Sequence, residues 1–452
     1  MSQKIINDFT KGNILKQMII FSIPFMLSNA MQVLYALVDM IVVGQVVGSY
    51  GLSAVSIASQ VTTFMTMFCL GMATGGQVYI AQVIGSDRRE QLNNIIGTLF
   101  SVIGIMAAVL TVFGVLFRNP ILSLLDTPTE CYSMAMDYLL ITCMGIVFTF
   151  GYNLLAAILR GMGDSRHPFI FILIASVTNL LLDCLFIIVF RWGVAGAALA
   201  TILGQALSFI VSLIFLFNRK EEFGFDFKKE SFYIKKEVLK VLAELGIPFA
   251  LQNCAVNVSM LFVNKLINGV GVYAAATFGV GVKLDDIINK TTQGITFAVS
   301  SMVAQNMGAK QFERIEQVVY RAWFLSSVFY MIYVFFYVQF GREMFGMFTS
   351  DKHVLELSSV FISAILWNYP AMVLMRGSGG FIQGIGHAKL SLVFALFDGF
   401  ILRIALSYLL GNVLGLGLYG YFLGYGLAAY GTSVPGAIYM FMGRWKKREI
   451  LA

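Results

Sequence analysis

Twelve long apolar runs leave this chain few folds to choose from. They fall at about 17–43, 51–75, 92–117, 134–158, 168–190 and 193–217, and again at 242–266, 273–303, 319–340, 355–375, 388–410 and 415–442. A helix needs about 20 predominantly apolar residues to cross the hydrocarbon of a bilayer. Every backbone N–H and C=O must find its partner inside the segment there, which a helix achieves alone. The sequence therefore predicts an all-α integral membrane protein with twelve transmembrane helices. Composition agrees. Only 12% of the residues are charged, against about 25% in soluble domains.

A charged stretch at 218–240 divides the runs six and six. The expected organisation is an N-terminal lobe over 1–217, a cytoplasmic linker over 218–240 and a C-terminal lobe over 241–452. The net charge of +7 does not indicate nucleic acid, because the basic residues sit mostly between apolar runs. The five cysteines, Cys69, Cys131, Cys143, Cys184 and Cys254, are odd in number and irregularly spaced. They read as small buried side chains, not as a disulfide framework or a zinc site. No cleavable signal is evident: the first run is too long for one and no small-residue cleavage site follows it.

Lysine and arginine placement sets the orientation. With a cytoplasmic N-terminus, 22 basic residues fall in inside segments, among them Lys4, Arg88, Arg160, Lys310 and Lys446, and five fall outside: Arg118, Arg191, Lys265, Arg342 and Lys352. Both termini and the linker are expected on the cytoplasmic side.

The halves repeat each other. Ile23, Pro24, Phe25, Leu27 and Asn29 lie over Ile247, Pro248, Phe249, Leu251 and Asn253 at an offset of 224. Ala81, Gln82 and Gly85 match Ala304, Gln305 and Gly308 at 223, as Gly161 and Gly163 match Gly384 and Gly386. Six spans is an even number, so both copies run the same way through the membrane. A parallel repeat of this kind implies two six-helix bundles facing a central cleft. The matched prolines, Pro24 and Pro248, are expected to bend spans 1 and 7.

Within these spans the first half concentrates oxygen ligands. Asp39 lies near the far end of span 1, Asn179 and Asp183 lie four apart on one face of span 5, and Thr201 lies on span 6. A carboxylate at this depth costs several kcal/mol unless something neutralises it. A lone polar residue in a span is commonly glue between helices. Two acids with no basic partner in the same six spans are harder to explain that way. Two nearby buried carboxylates do not ionise independently, and a proton or a sodium ion could neutralise the pair.

The chain resembles the multidrug and toxic compound extrusion (MATE) transporters over nearly its whole length. The resemblance is carried by Pro24, Asp39 and Gly44 in the first helix, and by Gly71, Gln82 and Gly85 with the Asp87-Arg88-Arg89 loop. Leu159 to Asp164 and Gly193 to Thr201 complete it. It implies export of small cationic, amphipathic compounds in exchange for Na⁺ or H⁺ by alternating access, at the cell membrane. Asp39, Asn179, Asp183 and Thr201 match the family's cation site in the N-terminal lobe. Gln32, Tyr138 and Asn153 match positions near it and are expected to support it. Another branch uses an acid on span 7, where this chain has Asn253 and Asn257, so the DinF-like or MepA-like branches fit better. A monomer is expected, with no cofactor beyond the coupling ion and no other metal.

The second half is no copy at these positions: Val263 stands opposite Asp39 and Arg376 opposite Asn153. Its own charges are Lys283, Asp285, Asp286 and Lys290 on span 8, Arg376 on span 10, and Asp398 and Arg403 on span 11. Lys283 and Lys290 are both spaced to pair with Asp286. The group is expected to line a water-filled cleft, mostly neutralised, with Asp285 or Asp398 as the alternative contact for a cationic substrate. The rival function is a lipid-linked or metabolite flippase of the same fold, which the three acids among these charges weaken. An enzyme is not expected. His167, His353 and His387 fall in loops or at span ends, and no nucleophile or metal motif lies within the spans.

Overall fold

The computed structural model describes residues 6–451, apart from the side chain of Leu34, and every regular element among them is helical. Lys4 lies outside the described residues. In chain order the helices are α1 (Ile14–Val46), α2 (Ser49–Gly85), α3 (Leu92–Leu116), α4 (Arg118–Leu124), α5 (Thr129–Met144), α6 (Ile146–Gly161), α7 (Arg166–Asp183), α8 (Gly193–Asn218) and α9 (Lys220–Phe223). They continue as α10 (Lys236–Asn268), α11 (Val272–Gly308), α12 (Phe312–Gly346), α13 (Lys352–Ile365), α14 (Asn368–Gly384), α15 (Ala388–Leu396), α16 (Ile404–Tyr408), α17 (Gly417–Leu427) and α18 (Tyr430–Phe441).

Eight stretches are long and apolar enough to cross a membrane, and two more spans are bent pairs: α5 with α6 at 47°, and α13 with α14 at 49°. The two remaining runs, the eighth and the twelfth, depart from the simple pattern for visible reasons. Helix α11 carries Lys283, Asp285, Asp286 and Lys290 in its middle, and the final run is divided between α17 and α18 at Ala428 and Ala429. The architecture is twelve transmembrane helices in two six-helix bundles.

The repeat is visible in backbone detail. The bent pairs occupy matching places in the two halves. Helix α7 runs into a π-helical turn over Cys184–Val189, and α16 into another over Leu409–Val413. Each is followed by a left-handed glycine, Gly193 at φ 58° and Gly417 at φ 56°, 224 residues apart. Only Gly takes that backbone region without steric cost.

Packing divides the chain into two compact units, and the division does not follow chain order. The first holds Leu27–Val83 and Arg88–Ala250; the second holds Asp8–Met26, Ile84–Asp87 and Leu251–Ala452. The lobes expected over 1–217 and 241–452 thus exchange the starts of spans 1 and 7. Pro24 and Pro248 both lie inside helices that continue past them, each two residues before the helix changes units.

In the second unit the early segment is held by polar side chains. Gln305 accepts from the Phe9 amide at 2.9 Å, and Arg314 donates to the carbonyls of Phe9, Lys11 and Gly12 at 2.9–3.0 Å. Phe9, Phe21 and Phe25 then enter a core with Met302, Phe381 and Trp445.

In the first unit the stretch 218–240 is folded onto α3. The Ser101 hydroxyl donates to the Phe232 carbonyl at 2.5 Å, and the Lys235 amide donates to the Thr98 hydroxyl at 3.3 Å. Phe225 stacks on Phe100 with ring centroids 5.8 Å apart. Asp226 accepts from the Ser231 hydroxyl at 2.6 Å, and that bond holds its carboxyl below the usual range.

Two close approaches are open to test. A methyl group on Gly204 of α8 would lie 2.8 Å from the Ala175 carbonyl oxygen of α7, and one on Gly97 would lie 1.8 Å from the Ser231 carbonyl oxygen. Gly204→Val should destabilise the first unit by about 1–3 kcal/mol, the usual cost of overpacking, read as a lower unfolding midpoint in detergent. Gly97→Val should release the linker, read as faster tryptic cleavage after Lys235 and Lys236; an unchanged digest would show that this contact does not hold it.

Candidate functional site

The first unit brings four helices to one polar cluster. Helix α1 contributes Asp39 and, one turn earlier, Tyr35; α5 contributes Tyr138; α7 contributes Asn179 and Asp183; α8 contributes Thr201. Asn179 donates to the Thr201 hydroxyl at 3.5 Å, and Thr201 donates to the Ala197 carbonyl at 3.0 Å. Asn179 lies near enough to Asp183, and Thr201 near enough to Tyr138, to bear on those groups electrostatically. Asp39 and Asp183 lie within electrostatic reach of each other, and the charge of each acts on both tyrosines.

Burial isolates the acids. Asp183 is 1% exposed, and Asp39 is partly buried. Each has an Oδ1 shielded from solvent with no hydrogen-bond partner. Neither forms an ion pair among the described residues. A carboxylate in low dielectric with unfilled lone pairs is a strong ligand for a small cation or a proton. The π-helical turn begins at the residue after Asp183, and such turns recur at functional positions in helices. Among the described residues no three His, Cys, Asp or Glu side chains gather as a metal centre.

The residues expected to support this cluster are placed differently. Tyr138 is within it. Gln32 is partly buried two turns before Asp39. Asn153 donates to the Thr149 carbonyl of its own helix at 2.8 Å. Neither amide hydrogen-bonds to either acid. Tyr35 is the member that sequence reading missed, although its spacing of four from Asp39 places it on the same helix face.

The charges of the second unit form separate groups, not one cluster. On the exposed face of α11, Lys290 lies 4.0 Å from Asp286, a pair worth little in water. Lys283 is exposed and makes no ion pair among the described residues, so the expected Lys283–Asp286 pairing is absent. Arg376 is buried and donates to the Asn289 side-chain oxygen at 3.0 Å and the Tyr330 hydroxyl at 3.2 Å. Asp398 and Arg403 form a buried ion pair at 2.9 Å, with Thr432 donating to the other Asp398 oxygen at 3.1 Å. Residues five apart on an α-helix point about 140° away from each other. A third π-helical segment, Phe397–Arg403, brings these two together. Asp285 stands apart from all of these, with Tyr369 donating to its Oδ1 at 2.7 Å.

Comparison with known proteins supplies the context. The MatE family profile matches twice, over residues 24–185 and 248–409. A relative in Bacillus subtilis, named Probable multidrug resistance protein YpnP, is 30% identical over 98% of both chains. Multidrug export protein MepA of Staphylococcus aureus is 23% identical over 90% of both. A solved MOP superfamily transporter from Pyrococcus furiosus superposes with a TM-score of 0.92 at 22% identity, covering 99% of this chain and 100% of that one. The Vibrio cholerae MATE transporter VcmN, in a mutant form, gives 0.89 at 19%, covering 97% and 98%. Both share the fold. With two family matches in the two repeats and a 30% identical relative along almost its full length, this chain belongs to the MatE family of multi-pass membrane transporters for multidrug efflux and is not an enzyme.

Proposed function

We propose that the chain is a cation-coupled antiporter of the cell membrane, with both termini cytoplasmic. It exports small cationic, amphipathic compounds by alternating access and takes up Na⁺ or H⁺ in exchange. The observation that carries this reading is the pair Asp39 and Asp183: two acids at span depth, within electrostatic reach, with no basic partner and an unfilled buried oxygen on each. Loading one ion removes charge from the pair and lets the surrounding helices close on it. Releasing the ion restores the repulsion and the demand for water.

Helix α1 gives the loading step a route outward. Its outer half, with Asp39, packs in the first unit, and its inner half packs in the second. A change in tilt or rotation at Asp39 therefore pulls on a segment anchored elsewhere, and Pro24 weakens the helix ladder near the changeover. The protein acts as a monomer in the bilayer and needs no cofactor beyond the ion. The flippase alternative is weakened further by the engagement of Arg376 and Arg403 within their own unit, which leaves less free positive charge for a pyrophosphate headgroup.

Purified protein in vesicles loaded with a fluorescent organic cation tests the proposal, with Na⁺ and pH gradients imposed separately. One gradient should drive export, and dissipating it should stop export. Asp39→Asn and Asp183→Asn should each reduce gradient-driven export to the leak of empty vesicles while the protein inserts and folds normally. Wild-type export in either variant would overturn the assignment of the ion site, and export indifferent to both gradients would overturn antiport.

A further inference from the structure

Among the described residues, the second unit buries one guanidinium that no acid neutralises. Arg403 has Asp398 at 2.9 Å. Arg376, in the middle of α14, is 8% exposed and forms no ion pair among the described residues. Its hydrogen bonds go to neutral oxygens: Nη2 donates to the Asn289 side chain at 3.0 Å and to the Tyr330 hydroxyl at 3.2 Å. Its Nε is enclosed and has no hydrogen-bond partner. Asp285, one turn before Asn289 on α11, accepts from Tyr369 at 2.7 Å instead. Neutral acceptors satisfy N–H groups but leave the charge, and an unpaired buried charge is costly. Glue between helices would need only an amide or a hydroxyl.

The guanidinium is held in a fixed attitude. The Tyr330 hydroxyl donates to the Asn289 side-chain oxygen at 2.9 Å, which closes a triangle with Arg376 Nη2. The same hydroxyl lies 3.0 Å from that of Thr292. Tyr330, Tyr333 and Tyr337 recur at spacings of three and four on α12, so they share a face. Tyr369 of α14 packs on them, with its ring centroid 5.8 Å from Tyr330, 5.5 Å from Tyr333 and 6.4 Å from Tyr337. Asn289 is half-buried, and Asp286, three residues before it on the same side of α11, is exposed, as are Lys283 and Lys290. Charged side chains exposed within a span need water beside them, not hydrocarbon. The polar triangle therefore stands next to a wetted helix face.

We infer that Arg376 is the subsite for a carboxylate carried by the exported compound, so that the substrates include zwitterionic amphiphiles with one positive and one negative group. This deepens the export reading above and rests on it. A guanidinium is planar, always charged and matched to a carboxylate. One already oriented by Asn289 and Tyr330 loses little freedom when the acid binds. A single guanidinium balances a single carboxylate, not the diphosphate of a lipid-linked headgroup. Arg376 thus sets specificity: it acts on compounds that carry the acid and is indifferent to those that lack it.

The test measures binding by fluorescence polarisation, with the full chain in phosphatidylcholine nanodiscs so that no anionic lipid competes. The probes are a rhodamine with a free carboxylate and its ethyl ester, which share the cationic ring system and differ in the acid. The acid should bind the wild type with a Kd about tenfold below that of the ester. Arg376→Gln should raise the Kd of the acid about tenfold and leave that of the ester unchanged. Arg376→Lys, which keeps the charge and loses the planar fork, should raise the Kd of the acid about threefold. Equal affinities in the wild type overturn the subsite. So does an acid-to-ester ratio that Arg376→Gln leaves unchanged, whether neither probe is affected or both weaken in parallel. Should Arg376→Gln fail to fold, Arg376→Lys decides: an unchanged ratio overturns the inference. Ester binding with no preference for the acid defeats the subsite alone, whereas no binding of either probe defeats the export reading together with it.

Discussion

An acid buried at hydrocarbon depth needs a positive charge, and where that charge comes from organises this molecule. Asp398 takes it from Arg403, locally and permanently. Asp286 takes it from Lys290 at an exposed face where water does most of the work. Asp39, Asp183 and Asp285 have no such partner among the described residues, and each keeps a buried oxygen unfilled. A fixed ion pair contributes to structure but cannot exchange. An acid that must borrow its neutralising charge from solution is sensitive to which ions the solution holds, and the proposed antiport rests on that sensitivity.

The backbone around these acids is also distinct. Regular α-helix fixes which residues share a face, and π-helical turns change that register. One such turn begins just after Asp183, and another spans Asp398 and Arg403. The second allows a pairing that α-helical geometry forbids. The first changes the helix register directly after a carboxylate.

Helices α1 and α10 connect the two packing units through chain continuity. Each starts in one unit and finishes in the other, with its proline just before the change. The early part of α1 is secured by the Arg314 and Gln305 contacts to the segment before it and by the burial of Phe21 and Phe25. A rod fixed at one end and carrying Asp39 near the other would carry the ion binding proposed at Asp39 into strain along its length. The family assignment gives that strain a use.

The sequence by itself determined the spans, the parallel repeat and the identity of the acids. These follow from hydropathy over some twenty residues, from a constant offset and from helical spacing, all of which are local. The Asn179–Asp183 face and the Tyr330–Tyr333–Tyr337 face were both written there, although only the first was read. Tertiary structure alone decided which acids are paired. Lys283 and Asp286 have the spacing of a pair and do not form one, while Asp398 and Arg403 lack that spacing and do. It also decided that Asp285 lies among tyrosines from other helices and that the starts of spans 1 and 7 pack with the opposite halves of the chain. The physical reason is that helix periodicity says which way a side chain faces, whereas its partner is set by how neighbouring helices cross and where a π turn shifts the register.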